Sequence, residues 1–525
     1  MVVVSQVRVR PGAAKEEIYS AARALAGIPQ SAVQAAYLVK TSVDARRRGR
    51  VMFVHSVGFT LADGLEARYQ DVPGCRVVTP VPYDPPTGGA SLPEPPVVAG
   101  FGPAGMFCAL LLAEKGYRPI VLERGGPVEE RTRAVERFFQ EGVLDENSNI
   151  QFGEGGAGTY SDGKLTTRIG DPRCDYVKRQ LVRFGAPEEI LVKAKPHIGT
   201  DLLRDVVRNI RKEILRLGGQ ILFDTRLTGL LVRDGVLYGV ETNRAPLGCS
   251  QLVLAVGHSA RDTFQMLYDA GVPFVQKPFS VGVRIEHLQQ DVDRALYGPC
   301  AGDPFLPPAE YQYSLRQGEQ AVYTFCMCPG GTVVAAASEQ GGIVTNGMSS
   351  FARDLPNANS ALVASVSGQD FGDGPFAGLA FQRRLEQSAF RLTGGWRAPC
   401  ETVGSFLGTG KNAFGRVKPS YPIGVEPADL KTLFPARIAD MLALGLRAFG
   451  RRHKGFDAPD ALLQGPETRT SSPVRIPRGD GYECTQLAGL YPCGEGAGYA
   501  GGILSAAADG LRVAEQILMK YRPLD

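Results

Sequence analysis

Three glycines near residue 100 are spaced to hold a phosphate group through backbone contacts. An apolar run leads into a turn with Gly100, Gly102 and Gly105, and a helix-like segment follows. Gly100 would permit the tight turn, Gly102 would let the backbone approach a pyrophosphate, and Gly105 would let the helix lie close on the strand. The helix N-terminus at Pro103 and Ala104 would offer free N–H groups and a partial positive charge to the anion.

A carboxylate follows at the distance that a ribose requires. Glu123 ends a second apolar run, Pro119–Leu122, eighteen residues after Gly105, and Arg124 comes next. An acid at this point can accept hydrogen bonds from a ribose 2′-OH, so the strand, turn, helix, strand and acid predict a dinucleotide-binding unit. The alternative is a membrane helix, because Pro95–Ala113 carries no charge. Its prolines and glycines oppose a helix, and a buried parallel strand also reads as a continuous apolar run, so we expect no membrane span.

Three further segments indicate that this dinucleotide is FAD. A glycine-rich loop follows the first unit and would let the backbone approach a flat ring, with polar side chains to bond phosphate or flavin; its alternative is an ordinary surface loop. A strand that follows a hairpin would return the chain to the cofactor. A late segment, made of a strand, an acid, a glycine turn and a helix, would return there too and aim its helix N-terminus at the flavin. The residues expected in these segments are Gly156, Gly158, Ser161, Asp162 and Lys164, then Leu227, Ala255 and Gly257, and finally Gly494, Glu495, Gly501, Gly502 and Ile503.

Three side chains are candidates for catalysis. Arg284, Glu286 and His287 alternate along VGVRIEH, so Arg284 and Glu286 share one face of a strand and His287 takes the other. Arg284 could bind an anionic substrate and His287 could donate a proton; the alternative is a structural Arg284–Glu286 pair and a satisfied histidine. Arg469 is the third candidate, with Glu467 two residues away as its possible partner.

Cysteine use predicts a reducing compartment and no metal site. The ten cysteines form no spaced framework, which favours a cytoplasmic protein, and no His/Cys/Asp cluster has metal-ligand spacing. Cys326 and Cys328 would lie on one face of an extended strand, too far apart for an easy disulfide. A cysteine that is not in a disulfide is usually a small buried hydrophobe, and nothing identifies a residue for covalent attachment of flavin.

Length and proline content divide the chain. At 525 residues it should hold two or three domains, and its formal net charge of +4 gives no sign of nucleic-acid binding. Residues 1–80 read as a small α+β module, and a semi-rigid linker follows, since Pro80–Pro96 contains seven prolines. We place the linker at 81–96, the first part of the FAD domain at 97–274, a substrate domain at 275–480 and the last part of the FAD domain at 481–525. No signal peptide is apparent at the N-terminus.

The chain resembles the FAD-dependent dehydrogenases of bacteria and plastids over most of its length. The segments that carry this resemblance are NIQFGEGGAGTYSDGKLTTR (149–168), KPHIGTD (195–201), AVGHSARDT (255–263), KPFSVGVRIEH (277–287), CMCPGG (326–331), TNGMS (345–349), KPSYPIGV (418–425), ETRTSSPVRI (467–476) and the basic loop KTSVDARRR (40–48). The resemblance implies an α/β fold: a glutathione-reductase-type Rossmann FAD domain, an inserted mixed α+β substrate domain and an N-terminal ferredoxin-like module. Ser405 and Ile423 stand where family members often carry an acid and an arginine.

Together these observations predict an FAD-dependent oxidoreductase that moves a hydride between the flavin and a small, anionic organic substrate. FAD would be bound non-covalently, and NAD(P)H could visit as a transient reductant. Two alternatives remain open at this point: an NAD(P)H-dependent flavin monooxygenase, and a non-catalytic FAD-stabilised binding or assembly protein that uses the basic N-terminal module.

Overall fold

The N-terminal unit is a four-stranded antiparallel sheet with one helix. In the computed structural model, which describes residues 1–47, 49–62, 64–79 and 81–524, the strands are in the order β2-β3-β1-β4. Arg48 of the basic loop, Pro80 at the expected boundary and Asp525 lie outside the described residues. The elements are β1 (Val2–Val9), α1 (Lys15–Ala26), β2 (Val33–Asp44), β3 (Met52–Leu61) and β4 (Cys75–Val77).

The second stretch of chain alternates short strands with helices, as the glycine turn and apolar runs predict. Its elements are β5 (Val97–Ala99), α2 (Pro103–Glu114), β6 (Ile120–Leu122), α3 (Val128–Glu141), α4 (Arg173–Arg183), α5 (Thr200–Arg216), β7 (Gln220–Leu222), β8 (Leu227–Arg233), β9 (Val236–Thr242), β10 (Leu247–Gly248), β11 (Leu252–Leu254) and α6 (Arg261–Asp269).

The remaining chain is richer in strands and then returns to the first sheet. Its elements are β12 (Val275–Gln276), β13 (Phe279–Leu288), α7 (Gln289–Tyr297), β14 (Ser314–Gln317), β15 (Gln320–Cys328), β16 (Thr332–Ala335), β17 (Thr345–Met348), β18 (Asn357–Val366), α8 (Gly368–Phe371), α9 (Ala377–Thr393), β19 (Ala398–Thr402), α10 (Val403–Phe406), β20 (Val425–Pro427), α11 (Ala436–Arg452), β21 (Leu462–Glu467), β22 (Val474–Arg475), β23 (Leu490–Pro492) and α12 (Ile503–Lys520).

A five-stranded parallel sheet, in the order β23-β11-β5-β6-β7, forms the centre of the first large unit. One of its faces packs on α2, α5 and α12, and the other packs on α6 and the small antiparallel sheet β8–β10. Since parallel strands end at one edge, the turns after β5, β11 and β23 come together. Each of these turns carries glycines expected at the cofactor.

A seven-stranded mixed sheet, in the order β14-β15-β18-β13-β21-β19-β20, forms the second large unit. Its strands are mostly antiparallel, and its apolar face packs against α9 and α11 in the largest buried core of the described chain. β15, β21 and the end of β17 lie where this sheet meets the first unit. This junction positions the site.

The proline-rich segment after the N-terminal unit is held against the first large unit. The Gly88 N–H donates to the carbonyl oxygen of Leu518 at 2.7 Å, and the Tyr83 hydroxyl donates to Glu515 on α12 at 2.5 Å. The N-terminal unit itself makes contact through β2, where the Thr41 N–H donates to the carbonyl oxygen of Val192 at 2.7 Å. The N-terminal unit therefore packs against the first large unit, and none of its described residues lines the cavity described below.

Candidate functional site

A cavity of about 440 Å³ lies between the parallel sheet and the seven-stranded sheet. One end is bounded by the glycine turn after β5, and the other by side chains of β15, β17 and the segment after β21. The lining combines glycine backbone at the first end with charged and polar side chains at the second. This division separates a backbone-built half from a side-chain-built half.

The glycine turn after β5 has the geometry that its spacing predicts. Gly100 has a φ of +99°, in the left-handed region that favours glycine. A Cβ added at Gly105 would run into the carbonyl oxygen of Gly100, so Gly105 is required for packing and does not itself line the cavity. A Cβ at Gly102 would meet only the Cα of Gly156, at 3.6 Å, and Gly102 faces the cavity as N-cap of α2.

Glu123 is held by backbone groups from three segments. Its carboxylate accepts hydrogen bonds from the N–H groups of Phe101, Gly125 and Gly153, each at 2.9 Å. The side chain is buried but lines the cavity. Two carboxylate oxygens offer about four acceptor positions, so one remains for a ribose hydroxyl after these three bonds.

The glycine-rich loop after α3 is fixed from beneath by a buried arginine. Arg131 is fully buried and donates to the carbonyl oxygens of Asn149, Ile150 and Glu154 at 2.9, 3.0 and 2.6 Å. This clamp presents Gly156, at a φ of +61°, directly to the turn before α2. Backbone thus lines both sides of this end of the cavity.

The late segment brings an acid and a second helix N-terminus to the same cavity. Gly501 and Gly502 have no atom within 4 Å of an added Cβ, so their backbone is open to the space in front of α12. Burial raises the pKa of Glu495 to about 7 against the pull of Lys277. Gly494 does not line the cavity; its N–H donates to Asp509 on α12 at 2.8 Å and fixes the turn.

Most of the expected cofactor residues meet at this cavity. Gly105 and Gly494 contribute packing and turn geometry behind it, and Ser161 uses its hydroxyl within its own turn, donating to the Gly158 carbonyl oxygen at 2.7 Å. The expected residues that line the cavity are Gly100, Gly102, Pro103, Ala104, Glu123, Arg124, Gly156, Gly158, Ser161, Asp162, Lys164, Leu227, Ala255, Gly257, Glu495, Gly501, Gly502 and Ile503.

Of the three catalytic candidates, Arg469 lines the cavity. Its guanidinium donates to both oxygens of Glu386 at 3.1 Å, and Arg261 donates to the same carboxylate at 2.9 Å. These two cations hold the pKa of Glu386 well below its usual range despite burial. The sequence neighbour Glu467 is therefore not the partner of Arg469.

Arg284 does not reach the cavity, contrary to the sequence expectation. It is fully buried beneath the cavity wall and donates to Glu467 at 3.0 Å, to Asn359 at 2.8 Å and to the carbonyl oxygen of Cys326 at 2.6 Å. Glu286 instead accepts from other groups of the second unit. An arginine whose donors are taken up in this way binds no substrate; it supports the wall.

His287 does not line the cavity either, although its ring packs against Tyr311, which does. Its ring is buried against Phe456, with Nε2 at 2.8 Å from the Phe456 carbonyl oxygen, and burial lowers the pKa of the imidazole. The strand alternation correctly separates His287 from Arg284, but the face it takes belongs to the aromatic core. His287 is therefore not placed to donate a proton to a substrate in the cavity, contrary to the sequence expectation.

Sequence reasoning missed much of the side-chain half of the site. Glu467 lines the cavity, and burial, opposed by Arg284, raises its pKa to about 7. Arg353 donates to Asp162 at 2.9 Å and to Glu310 at 2.7 Å, which fixes a wall of alternating charge. No local motif marks these residues, since their partners lie far along the chain. Ser405 and Ile423, the departures from the family pattern, do not line the cavity.

The described residues fit an FAD molecule. A Cβ at Gly156 would meet the Gly102 Cα at 2.9 Å, so Gly156 is required for the two backbone segments to pack closely, and the absence of a side chain at Gly102 leaves the space in front of α2 open to a pyrophosphate. The N-termini of α2 and α12 open into the same space. Among the described residues no group of His, Cys, Asp and Glu side chains could hold a metal ion, and no helix is long and apolar enough to cross a membrane.

Two parts of the chain match known family models, and most of the chain matches one curated relative. Residues 278–470 match the family model described as "FAD-dependent protein, C-terminal domain-like", and residues 1–60 match a domain of unknown function, DUF8436. An uncharacterised protein of Clostridium beijerinckii is 47% identical over 495 residues, which cover 92% of each chain.

Two solved structures are more distant in sequence. L-amino acid deaminase from Proteus vulgaris is 12% identical, with a TM-score of 0.33 over 85% of this chain and 98% of that one. Glycine oxidase from Bacillus cereus is 11% identical, with a TM-score of 0.29 over 81% and 94%. Scores this low carry no argument about the reaction. The identity to the Clostridium beijerinckii protein shows that this chain belongs to the family of that relative, and the match over residues 278–470 shows that this is a family of FAD-dependent proteins, with FAD as the cofactor.

Proposed function

We propose that the protein transfers a hydride between N5 of the flavin and a small, anionic organic substrate held in the side-chain-built half of the cavity. When bound, FAD supplies the hydride chemistry, and the protein supplies position and electrostatics. The observation that carries the proposal is the extension of the cavity beyond the backbone cradle to a wall of cations and carboxylates. A cofactor bound only for stability would not require that extension.

The charge balance of this wall supports an anionic substrate. Lys164 lies 2.7 Å from Asp162 and 4.0 Å from Glu310, and Lys195 lies 3.6 Å from Glu310. With Arg353, three cations face two carboxylates. The group keeps one net positive charge at the cavity, which favours the entry of an anion.

Arg469 and His258 suit the binding and orientation of such a substrate. Arg469 lines the cavity, and its guanidinium is fixed by hydrogen bonds to Glu386 and to the Ser338 hydroxyl. His258 lines the cavity 3.9 Å from Glu495, and burial, with Arg469 and Arg261, lowers the pKa of His258 to about 3. A neutral imidazole there offers one donor and one acceptor rather than a charge.

We propose the same division of the chain into domains that the sequence indicates. The parallel five-stranded sheet with a small antiparallel sheet on one face supports a glutathione-reductase-type FAD domain, formed by residues 97–274 and 481–525. The seven-stranded sheet supports a substrate domain at 275–480. The order β2-β3-β1-β4 supports a ferredoxin-like module at 1–80, in which a short 3-10 helix at Leu65–Tyr69 takes the place of a second helix.

An anaerobic titration tests the proposal. Amino, hydroxy and dicarboxylic acids, with their neutral amides as controls, are added to the FAD-loaded protein while the flavin absorbance is followed. We expect an acid to perturb or bleach the flavin band where its amide does not, and Arg469→Met to weaken that response at least tenfold. Arg391→Met, an exposed arginine of α9, is the matched control. Equal responses to acids and amides would contradict an anionic substrate.

The alternatives give different outcomes in further measurements. In air-saturated buffer, steady NAD(P)H oxidation with oxygen uptake would indicate a flavin monooxygenase. A bound flavin that no donor reduces would indicate a binding or assembly protein.

A further inference from the structure

We propose that Cys326 and Cys328 form a redox pair that exchanges two electrons with the flavin, Cys326 being the thiol that faces the cavity. The inference rests on the proposed function, since it needs FAD in the adjacent half of the cavity. It assigns the cysteines of β15 a chemical role that burial alone would not require.

The backbone at Cys326 departs from a regular strand. Between Phe325 and Cys328, β15 advances three residues while its partner β18 advances two, from Ala361 to Asn359, so one extra residue forms a bulge. Cys326 itself has a φ of +44°, a left-handed conformation that a cysteine rarely adopts. The alternation of a regular strand, which predicts separated thiols, therefore does not apply here.

The bulge brings the two cysteines into one polar cluster. The Cys328 thiol lies 3.4 Å from the carbonyl oxygen of Cys326, and Arg284 donates to both that oxygen and the Cys328 sulfur, at 2.6 and 3.3 Å. Cys326 is half-buried and lines the cavity, whereas Cys328 is fully buried beneath it. One thiol is thus accessible, and the second is held next to it.

The surrounding charges favour a thiolate at Cys326. The neighbouring Cys328 thiol, with the nearby cations Arg284 and Lys164, lowers the pKa of Cys326. The same neighbour and burial raise the pKa of Cys328, which keeps its proton. A pair with one thiolate and one protonated thiol is the arrangement that thiol–disulfide chemistry uses.

Glu467 completes the cluster as a proton carrier. It shares Arg284 with the two cysteines, and burial, together with the negative charge of Cys326, raises the pKa of Glu467 to about 7 against the pull of Arg284. A carboxyl group with that pKa can take up the proton that Cys328 loses.

The step balances with FAD as the only oxidant. The pair, as a thiolate and a thiol, loses two electrons and one proton as one S–S bond forms, and oxidised FAD gains the two electrons with one proton. The reverse step returns both electrons from reduced FAD and breaks the S–S bond. A substrate that exchanges electrons with the pair would itself be a thiol or a disulfide.

Reductive titration of the FAD-loaded, air-oxidised protein tests the pair without any substitution. Under anaerobic conditions, dithionite should deliver four electrons for each FAD before excess reductant appears: two to the flavin and two to the disulfide. Maleimide labelling of the denatured protein should modify Cys326 and Cys328 after reduction but not before. An uptake of two electrons, with both cysteines labelled in the oxidised protein, would overturn the proposal.

Variants sharpen this result. Cys326→Ser and Cys328→Ser should each lower the uptake to two electrons, while Cys300→Ala, a half-buried cysteine outside the cavity lining, should keep four. A Cys328→Ser protein that fails to fold leaves the wild-type titration decisive. If the protein binds reducible FAD but takes up only two electrons, the proposed cysteine pair is wrong while the proposed function stands. If the protein binds no FAD, both proposals are wrong.

Discussion

The two halves of the cavity are built by different means. At the nucleotide half, backbone groups of short glycine-containing turns form the surface, from Gly100 to Gly158 and again at Gly257 and Gly501. At the other half, side chains pair across long stretches of chain: Arg284 with Glu467, and Arg469 with Glu386. Backbone recognition depends on local residue type, while side-chain pairing depends on the whole fold. A single substitution should therefore have different consequences in the two halves.

The largest effect on FAD affinity is expected at Gly102, where cofactor binding should be lost without loss of the fold. A Cβ there meets only the Gly156 Cα at 3.6 Å, so the protein itself tolerates a side chain. The methyl groups of Gly102→Val would project into the space for the pyrophosphate. We expect soluble protein whose Kd for FAD rises on the order of 100-fold or more, or about 3 kcal/mol.

Flavin content after gel filtration, followed by titration of the apo-protein with FAD, measures this effect. Gly395→Val is the control, because no atom lies within 4 Å of its added Cβ and its φ is not positive. Full flavin occupancy in Gly102→Val would contradict the backbone-cradle interpretation.

The next effect is expected at Arg284, where stability should be lost. Arg284→Met leaves Glu467 buried beside Cys326 without its cation. Removing one partner of a buried pair costs about 3–5 kcal/mol. Arg469→Met should cost less, because Arg261 still pairs with Glu386.

Urea unfolding of the FAD-loaded variants checks this order. The double variant Arg284→Met/Glu467→Leu should recover part of the lost free energy of unfolding, since it removes the unpaired carboxylate as well. Equal costs for Arg284→Met and Arg469→Met would show that the two pairs do not differ as the structure indicates.

This contrast explains how far the sequence could predict the site. The turn at Gly100, the acid at Glu123 and the late turn at Gly501 were predictable, because each follows from residue type at short spacing. The partners of Arg284 and Arg469 were not, because the nearby acids Glu286 and Glu467 sit at permitted spacings and only the packing of β13 against β21 decides between them. The bulge at Cys326 could not be predicted from the sequence either, since no glycine or proline lies within it.

The smallest effect is expected at His287. Substitutions there test whether this residue lies outside the substrate-binding half of the cavity, as the structure indicates. Its ring lies among Tyr311 and Phe456, and Nε2 is 2.8 Å from the Phe456 carbonyl oxygen. Because burial lowers the pKa of His287, the ring is neutral near pH 7 and donates to that carbonyl. His287→Gln keeps a donor of similar reach, whereas His287→Phe leaves the carbonyl without one.

We expect His287→Gln to cost about 1 kcal/mol and His287→Phe about 1–3 kcal/mol of unfolding free energy, the usual range for a buried hydrogen bond lost or left unmade. Neither should change the flavin spectrum, the affinity for FAD or the pH profile of flavin reduction, because the ring does not line the cavity. Thermal unfolding measures the cost in stability, and stopped-flow reduction at several pH values measures any effect on flavin reduction. If His287→Gln removed a limb of the pH profile while stability stayed unchanged, His287 would act on the substrate, and the boundary drawn between the site and the aromatic core would be wrong.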